Sequence, residues 1–469
     1  MSTSRQLRQS RRVARNHNRF KPLALFPDRH IDFLNQENSA RYEFGFSALL
    51  FIRTMQQMIT PISLEWRVPK TDSVAQLARE FCRDLEVYNS RGEVGPFLRE
   101  VHEQLGASHN AGIQLIDVND SDGGEDFVRY ISGKRFVSAP QYLNGRPQSF
   151  PNFSGDWPCF DPELRLARIP GGCFALIPDI PLVFDQSGRI IEKYSSHYAR
   201  LLYFYDIDIK ARLQNAIFLN GPAIVLRDDI WGLNYCHWIA DWLIRLALLT
   251  PDERAAIHVI VSPLVARWQT DSLEACGIAP NHIVVIDQMQ AVRCKELFVP
   301  SDLSAIYHPA FGASKWALEF LRAALLPSGV LREVEKENRR IYISRADAAG
   351  RRVSNEAALV DLLTARGFET VVLSRLSVWE QARLFASASA IVGVHGAGLT
   401  NTIFAREGSC LLEMFSPTYG TPAFFLLSRG RHVRYGCYVA QPNGTAERSQ
   451  LDDITLDLDD FAIKCAEFL

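Results

Sequence analysis

Residues 390–401 read Ala-Ile-Val-Gly-Val-His-Gly-Ala-Gly-Leu-Thr-Asn, an apolar strand that runs directly into a glycine-rich turn. A helix is predicted to open at this turn, over residues 399–405. Because Gly396 and Gly398 have no β-carbon, the backbone can approach a ligand closely, and the first amides of the helix point outward without partners. Such amides favour an anion, and beside His395 the natural ligand is a diphosphate. A strand-to-helix turn with glycines needed only for packing is the alternative, and the short motif alone does not decide between them.

Strands and helices alternate from Arg340 onward. The pattern predicts strands at residues 341–344, 369–373, 390–394 and 410–414, and helices at residues 355–365 and 379–388, the second capped by Ser377 with Glu380 completing a capping box. This alternation builds a parallel, doubly wound sheet with right-handed crossovers, on which ligands bind beyond the carboxyl ends of the strands. Arg345, His395 and Glu413 each fall at one of those ends, which strengthens the phosphate interpretation.

A second group of polar residues lies in residues 234–245, Asn-Tyr-Cys-His-Trp-Ile-Ala-Asp-Trp-Leu-Ile-Arg. If this stretch is helical, one face carries, at spacings of three and four, Asn234, His237, Trp238, Asp241 and Arg245. The opposite face is apolar, and a solvated face normally carries lysine and glutamate instead. A buried network in which Asp241 fixes the imidazole of His237 is the alternative. We favour the wall of a site, because buried titratable groups usually need a reason. Strands predicted at residues 257–261 and 283–286 then indicate a second, N-terminal α/β unit.

The composition is that of an ordinary globular enzyme. With 469 residues, 47% hydrophobic and 22% charged, and a formal net charge of -2, the chain is predicted to hold two domains plus an extension and not to bind nucleic acid. No apolar run approaches the roughly 20 residues that span a bilayer, and residues 1–20 lack an export signal. Nine cysteines without a C-x-x-C pair suit reduced thiols. We therefore expect a cytoplasmic protein, whose basic N-terminus allows peripheral contact with the inner face of a membrane.

Taken together, these blocks resemble glycosyltransferase family 61. The resemblance covers residues 228–416 and is carried, in order and spacing, by residues 234–245, Ile341-Tyr-Ile-Ser-Arg345, Arg352-Val-Ser-Asn355-Glu356, Gly367-Phe368-Glu369, Glu380-Gln381, His395-Gly-Ala-Gly-Leu-Thr-Asn401 with Phe404, and Leu412-Glu413. It implies a GT-B architecture, two Rossmann-like domains facing a cleft, and an inverting transferase that uses nucleotide sugars. One departure is Ile244, where the family often has proline before the arginine.

The expected fold is therefore α/β, of GT-B type, with an N-terminal extension. We predict a basic tail, a partly helical extension, an acceptor domain, a nucleotide-sugar domain and a C-terminal tail that packs back on the first lobe, over residues 1–40, 41–150, 151–330, 331–436 and 437–469 respectively.

The residues and the resemblance together predict a mechanism. A donor diphosphate is held, without a metal, by Arg345, His395, Gly396, Ala397 and Gly398. Asn401 orders the turn or reaches the sugar, and Glu413 accepts hydrogen bonds from ribose hydroxyls. The acceptor hydroxyl loses its proton to His237 or Asp241, and which of the two is the base is left open. The acceptor side of the cleft is expected to hold Asn234, Trp238 and Arg245.

No cofactor is expected beyond the nucleotide sugar, with a UDP-sugar as the first candidate. The acceptor is expected to be a glycan or a lipid-linked molecule in polysaccharide biosynthesis, such as a capsule pathway. Three alternatives remain beside this interpretation. Asp206-Ile-Asp208 resembles the metal-binding pair of a GT-A transferase, and His395-Gly-Ala-Gly resembles a hydrolase oxyanion loop, although no G-x-S-x-G elbow is present. The third alternative is a catalytically silent binding or scaffold protein of the same fold.

Overall fold

The computed structural model describes most of the chain from residue 115 onward. The described residues belong to one compact unit, Gly92–Leu469, and they are residues 115–116, 126–131, 135–138, 141–145, 157–160, 164–176, 181–191, 194–195, 209–226, 234–264, 266–286, 290–300, 315–417, 419–443 and 452–469. The predicted basic tail, most of the predicted extension and the Asp206-Ile-Asp208 pair lie outside them.

A six-stranded parallel sheet, the second of the two large sheets along the chain, forms the C-terminal part. Its order is Phe368–Val371, Arg339–Ile343, Ala388–Val394, Cys410–Phe415, Arg434–Val439 and Gln141–Tyr142. The five strands from Arg339 onward thus follow the order 2-1-3-4-5. They are connected by the helices Glu356–Thr364, Val378–Ser387, Ala397–Phe404 and Ala423–Gly430, the third of which is a 3-10 helix.

Helices cover both faces of this second sheet. Helix Val378–Ser387 packs with Ile341 and Ile391 on one face, while helix Glu356–Thr364 packs with Tyr342 and Val392 on the other. Both faces of the central strands Ala388–Val394 and Cys410–Phe415 are therefore buried, which explains their nearly continuous apolar runs in the sequence. The predicted doubly wound parallel sheet is confirmed here.

Local signals place these helices where the sequence predicts them. The Ser377 hydroxyl accepts a hydrogen bond from the Glu380 N–H (3.3 Å), and the Glu380 carboxylate accepts one from the Ser377 N–H (2.7 Å). Gly367, at φ +78°, turns the chain after helix Glu356–Thr364 into the next strand.

The first sheet is mixed. Four parallel neighbours, in the order Ile283–Val285, His258–Val261, Ile217–Val225 and Ala291–Pro300, resemble half of a doubly wound sheet. The sheet continues with Leu164–Pro170, Cys173–Leu176, Pro181–Phe184, Ile190–Ile191, Leu115–Ile116 and Asp126–Ile131.

This first sheet differs from the predicted doubly wound form. Leu164–Pro170 and Cys173–Leu176 both run antiparallel to Ala291–Pro300, with a kink between them at Gly171 (φ +62°). A hairpin turn at Gly188 (φ +81°) reverses the chain again. Cys173–Leu176 pairs antiparallel with Pro181–Phe184, which in turn pairs antiparallel with Ile190–Ile191, so successive strands pair directly in this part of the sheet.

Residues 235–248 are helical but irregular. Asn234 caps a short α-helical turn, Tyr235–His237, which passes into a π-helix, Trp238–Trp242, and then a 3-10 helix, Leu243–Leu248. A π-helical turn changes the angular spacing of side chains. The spacing of four residues still brings the side chains of His237 and Asp241 into contact.

The C-terminal segment packs on the second sheet. Cys437 lies within strand Arg434–Val439, so the boundary predicted between residues 436 and 437 cuts a strand. Helix Leu458–Phe468 buries Phe461, Cys465 and Phe468 in the same core as Tyr342. The apolar face of this helix, predicted to meet the first lobe, is covered by the second sheet instead.

The remaining described elements are short. They are the helices Ile209–Gln214, Pro251–Ala256, Arg267–Ala275, Lys315–Leu325 and Ser328–Val334, the 3-10 turns Pro280–His282 and Leu373–Arg375, and the strand pairs Arg135–Ser138 with Trp157–Phe160 and Gln441–Asn443 with Asp453–Thr455. One apolar core contains Ile224 of the first sheet as well as Ile341 and Leu411 of the second. Within the described part of the chain, no helix combines the length and apolarity needed to cross a membrane.

Candidate functional site

A pocket of ≈ 310 Å³ lies where the strands Arg339–Ile343 and Ala388–Val394 end. In a 2-1-3-4-5 sheet these neighbours are the first and third strands, and ligands bind outside the carboxyl ends of this pair. Both polar and apolar side chains surround the pocket, and they include Tyr235, Trp268, Ile343, Ser344, Arg345, Leu373, Leu376, Gln381, Gly396 and Gly398. The volume is at the lower end of the range of about 300–1,000 Å³ for small-molecule sites.

The glycine turn borders this pocket. Gly396 precedes the 3-10 helix Ala397–Phe404, whose first bond joins the Leu399 N–H to the Gly396 carbonyl (2.9 Å). No described residue accepts a backbone hydrogen bond from the N–H groups of Gly396, Ala397 or Gly398. The predicted α-helical start is thus a 3-10 turn, but it has the same unpartnered amides.

The two glycines allow close packing around the turn. A β-carbon on Gly396 would lie 2.1 Å from Nη1 of Arg345, and one on Gly398 would lie 2.7 Å from Cδ1 of Leu373. A side chain at position 396 would therefore displace the guanidinium. Ala397 is partly buried and is not among the residues that line the pocket.

Arg345 is fixed by backbone carbonyl groups. Its Nε donates to the carbonyl of Arg351 (3.1 Å) and its Nη2 donates to that of Gly350 (3.0 Å), which leaves Nη1 against Gly396. Burial, and then the neighbouring Arg351, lower the pKa of Arg345 to about 10. The guanidinium is therefore still charged at neutral pH.

Arg351 adds a second positive charge that the sequence analysis missed. It has φ 57°, in the left-handed region, and its guanidinium lies 5.1 Å from the ring centroid of Tyr419. Its Nε is buried without a partner among the described residues. Within the described chain neither Arg345 nor Arg351 has a carboxylate within 4.0 Å. The charges of Asp347, which lines the pocket beside Arg345, and of Asp453 act on Arg345 from farther away. Arg351 is not among the residues that line the pocket.

His395, Glu413 and Tyr435 form a buried chain behind the turn. Nδ1 of His395 lies 2.5 Å from Oε1 of Glu413, and Oε2 of Glu413 accepts a hydrogen bond from the Tyr435 hydroxyl (2.6 Å). Glu413 is 0% exposed, so the predicted contact with ribose hydroxyls is wrong: both carboxylate oxygens bind inside the protein. His395 is likewise buried and does not line the pocket.

Burial sets the protonation of this pair. Burial, and then the charges of Arg351 and Arg345, lower the pKa of His395, whereas burial raises the pKa of Glu413. Both directions favour a pair that shares one proton and has no net charge. In that state the Nδ1–Oε1 bond uses the shared proton, and Nε2 of His395 carries the imidazole N–H.

Asn401 orders the turn. Its Nδ2 donates to Oε1 of Gln381 (2.8 Å) and to the Gly398 carbonyl (3.0 Å), and its Oδ1 accepts from the Tyr235 hydroxyl (2.7 Å). Asn401 is fully buried, so it matches the first of the two predicted roles and not direct contact with a sugar. The bond to Tyr235 joins the glycine turn to residues 235–248.

His237 and Asp241 form a pair on that segment. Nδ1 of His237 lies 2.6 Å from Oδ2 of Asp241, and the side chain of His237 is 12% exposed while that of Asp241 is 1% exposed. Neither lines the pocket. The thiol of Cys236 lies between the two constellations: burial raises its pKa, and the charges of Asp241 and Glu413 raise it further.

The other residues predicted on the acceptor wall have structural roles. Nε1 of Trp238 donates to the Ser272 hydroxyl inside the core (2.9 Å), and Nε of Arg245 donates to the Asp241 carbonyl (2.9 Å). Asn234 is exposed and accepts the Cys236 N–H as a helix cap (2.9 Å). Trp238 and Arg245 are both buried in the core, and their place on the acceptor wall stays a prediction.

Three residues of the site were not predicted. Tyr235 was overlooked because it is apolar in the helical pattern, although it adjoins the asparagine that caps the helix. Arg351 follows Arg345 by six positions, and no spacing rule predicts its left-handed conformation. Tyr435 pairs with Leu411 and not with Glu413 in the strand register, so only the three-dimensional arrangement brings the two together.

The described residues form no metal site. In the ranges that the structure describes, no group of three or more His, Cys, Asp and Glu side chains is placed to hold a metal ion. Seven cysteines whose side chains the structure describes are buried thiols without disulfides. Metal independence of the reaction stays a prediction.

Comparison with known sequences identifies the segment that carries this site. The profile of the family described as Glycosyltransferase 61 matches residues 235–412. These residues are a glycosyltransferase family 61 domain. The domain includes the glycine turn, Arg345 and the His237–Asp241 pair, and it ends one residue before Glu413.

Relatives of the family 61 domain include plant enzymes. The chain is 27% identical over 239 residues to the β-1,2-xylosyltransferase XAX1 of Oryza sativa subsp. japonica, covering 46% of this chain and 41% of that protein. It is 26% identical over 261 residues to the rice β-1,2-xylosyltransferase XYXT1, covering 50% and 53%. A third match, 33% over 75 residues, is the β-1,2-xylosyltransferase of Arabidopsis thaliana, covering 16% and 14%. The chain thus spans about half or less of the length of these relatives.

Proposed function

We propose that this protein is an inverting glycosyltransferase that moves a sugar from a nucleoside diphosphate to a hydroxyl group of a glycan or lipid-linked acceptor. The observation that carries the proposal is the pocket at the switch point, where a charged Arg345 rests against Gly396 beside unpartnered backbone amides. This arrangement suits a diphosphate, because planar guanidinium groups and helix-terminal amides both bind phosphate oxygens.

Arg345 and the turn amides are the proposed groups for the leaving diphosphate. Negative charge builds on it as the bond to the sugar breaks, and donors fixed in advance stabilise that charge more than they stabilise the bound substrate. Arg345 is fixed by two carbonyl groups and the turn by Asn401, so little reorganisation is needed. Arg351 supplies further positive potential.

His395 is proposed to act from behind the turn. Glu413 fixes its ring through Nδ1, and the shared proton leaves an N–H on Nε2. We propose that the backbone N–H of Ala397 is one of the turn amides that bind the diphosphate. Glu413 is proposed to position His395 instead of contacting the donor.

His237 is the proposed base, with Asp241 orienting it. Inversion requires the acceptor oxygen to attack the sugar from the face opposite the diphosphate, and a base must take its proton. Asp241 is nearly inaccessible and binds Nδ1 of His237, so the imidazole is the member of the pair that can reach a substrate. Its Nε2 would accept the proton.

The relatives suggest the first sugar to test. All three named above are β-1,2-xylosyltransferases, which makes UDP-xylose the first donor and a pentosyl transfer the first reaction to examine. We further propose a GT-B arrangement, in which Tyr235 and Trp268 belong to the acceptor lobe and face the donor sheet. Cytoplasmic location, polysaccharide biosynthesis and membrane contact stay predictions from the sequence.

Nucleotide release from a panel of donors tests this function. UDP-xylose, UDP-glucose, UDP-N-acetylglucosamine and GDP-mannose would be supplied with oligosaccharide acceptors, with and without EDTA. We expect release from one donor that persists in EDTA, and a loss in kcat of about 10²–10⁴-fold in His237→Ala with the donor KM unchanged. Tight UDP binding without release from any donor would instead indicate a silent binding protein.

A further inference from the structure

The C-terminal hairpin packs beside the donor pocket. Its strands, Gln441–Asn443 and Asp453–Thr455, lie against the loop that follows Arg345. Val353 pairs with Ile454 in a parallel bridge, the Ser354 N–H donates to the Ile454 carbonyl, and the Ile454 N–H donates to the Arg352 carbonyl, both at 2.8 Å. The hairpin thus pairs with the backbone of the loop as a neighbouring strand would.

Side chains strengthen this contact at two more points. Nδ2 of Asn355 donates to the Leu456 carbonyl (2.9 Å), and Oδ1 of Asn355 accepts the Leu456 N–H (3.1 Å). Nδ2 of Asn443 donates to the Ser354 hydroxyl (2.6 Å). Residues 352–355 are therefore held at every position by the C-terminal segment.

Asp453 makes the contact nearest to the arginines. Oδ1 accepts the backbone N–H of Arg352 (2.9 Å), and Oδ2 accepts Nη2 of the same residue (2.9 Å). Burial raises the pKa of Asp453, but the hydrogen bonds from Arg352 outweigh this and hold the pKa below its ordinary value. Asp453 also interacts with Arg345 through space.

This contact fixes the residue whose backbone is strained. Arg351 immediately precedes the Arg352 N–H and has φ 57°, a left-handed conformation that is unfavourable for a non-glycine residue. Such a conformation persists only where the surroundings enforce it. The carbonyl of Arg351 accepts a hydrogen bond from Nε of Arg345, and the carbonyl of Gly350 accepts one from Nη2. The loop conformation therefore sets the direction of the Arg345 guanidinium.

We propose that the C-terminal segment, which lies outside the family 61 domain, is part of the donor site and that Asp453 is its positioning residue. Asp453 fixes the Arg352 N–H, the loop at the left-handed Arg351 presents two carbonyl groups, and these direct Arg345 onto the diphosphate. The inference rests on the proposed function, because it concerns affinity for the same nucleotide.

The proposal separates the backbone bond of Asp453 from its ion pair. Arg352 is half exposed (51%), and an exposed ion pair contributes little. Arg352→Ala removes that pair and keeps the N–H bond. Asp453→Asn keeps an oxygen for the N–H and removes the charge, whereas Asp453→Ala removes both. Asp459→Ala is the matched control, since Asp459 is an exposed acid of the same C-terminal segment, in the first turn of helix Leu458–Phe468.

Calorimetric titration of the full chain and these variants with UDP tests the proposal, at a temperature where urea unfolding shows each to be folded. We expect Asp453→Ala to bind UDP about tenfold more weakly, equivalent to about 1.4 kcal/mol. Arg352→Ala, Asp453→Asn and Asp459→Ala should stay within about twofold of the unchanged protein. If turnover is measured, the donor KM rises in Asp453→Ala while kcat does not fall.

Each outcome bears on a different claim. Unchanged UDP affinity in a folded Asp453→Ala protein, while the unchanged chain binds UDP, overturns the positioning role and leaves the proposed function standing. A loss in Arg352→Ala equal to that in Asp453→Ala also overturns it, because the ion pair would then be responsible. Failure of the unchanged chain to bind UDP or any other nucleoside diphosphate contradicts the proposed function itself.

Discussion

Gly396 leaves room for the Arg345 guanidinium, which no residue with a side chain could do at this position. The atoms that an added β-carbon would meet are Nη1 at 2.1 Å and Cζ at 3.0 Å, both at the mobile end of a long side chain. The glycine is therefore needed for the direction of Arg345 more than for the fold. The sequence predicted close approach at this glycine but not the neighbour that makes the approach.

Replacing Gly396 with alanine should thus separate binding from stability. We expect Gly396→Ala to weaken UDP binding at least about tenfold, because Arg345 must leave its carbonyl acceptors, while the free energy of unfolding falls by no more than about 1 kcal/mol. Titration calorimetry and urea unfolding measure the two quantities. Gly329→Ala is the control, since a β-carbon there meets nothing within 4 Å; equal UDP affinity in both variants would contradict the steric role.

The His395–Glu413 pair has a characteristic dependence of stability on pH. Between about pH 4.5 and 6.5 the unfolded chain has a charged glutamate and a charged histidine. In the folded chain the raised pKa of Glu413 and the lowered pKa of His395 favour a protonated glutamate and a neutral imidazole. Both states then bind the same number of protons, so the pair adds no slope to stability in this range.

Glu413→Gln should remove that balance. The lowered pKa of His395 would then act alone. Its contribution to the free energy of unfolding is lost as the pH falls below the pKa of histidine in the unfolded chain, near 6.5. We expect the stability difference between the unchanged protein and the variant to grow by about 1–2 kcal/mol from pH 7 to pH 5. Urea unfolding across this range measures it, and parallel curves would contradict the shared proton.

Elements show most clearly what the sequence can predict. The strands and helices predicted between residues 341 and 414 lie within two residues of their predicted positions, because the capping box, the terminal glycine and the buried apolar runs are local signals. Strand Arg434–Val439 and helix Ala423–Gly430 of the same sheet were not predicted. The helix type of residues 235–248 was harder to predict from the sequence. The helix changes there from α- to π- and 3-10-helical turns, with Trp238 and Trp242 in contact, and no spacing in the sequence encodes this change.

The 3-10 helix Ala397–Phe404 is joined to residues 235–248 by the bond between Tyr235 and Asn401. A double-mutant cycle isolates this bond. We expect Tyr235→Phe and Asn401→Ala each to destabilise the protein, with an interaction free energy of about 0.5–1.5 kcal/mol in urea unfolding. Tyr235→Phe combined with Ser377→Ala, at the start of helix Val378–Ser387, should be additive. Additivity in both cycles would show that Asn401 orders the turn without Tyr235.

At the scale of the whole molecule, one core unites a parallel sheet and a mixed sheet, and the pocket draws residues from both parts of the chain. The sequence predicted the class of fold because alternating elements specify it. It did not predict the antiparallel strands of the first sheet, where pairing depends on contacts between distant residues. Nor did it predict the packing of the C-terminal helix, because an apolar helix face does not specify which sheet it covers.

The account as a whole depends on a nucleoside diphosphate binding at the switch point of the second sheet, and titration calorimetry with UDP tests this most directly. The variants to compare are Arg345→Ala and Arg332→Ala, the latter being an exposed arginine on helix Ser328–Val334. We expect UDP to bind the unchanged chain and Arg332→Ala alike, and to bind Arg345→Ala at least about tenfold more weakly. UDP affinity that is equal in all three proteins would contradict the account.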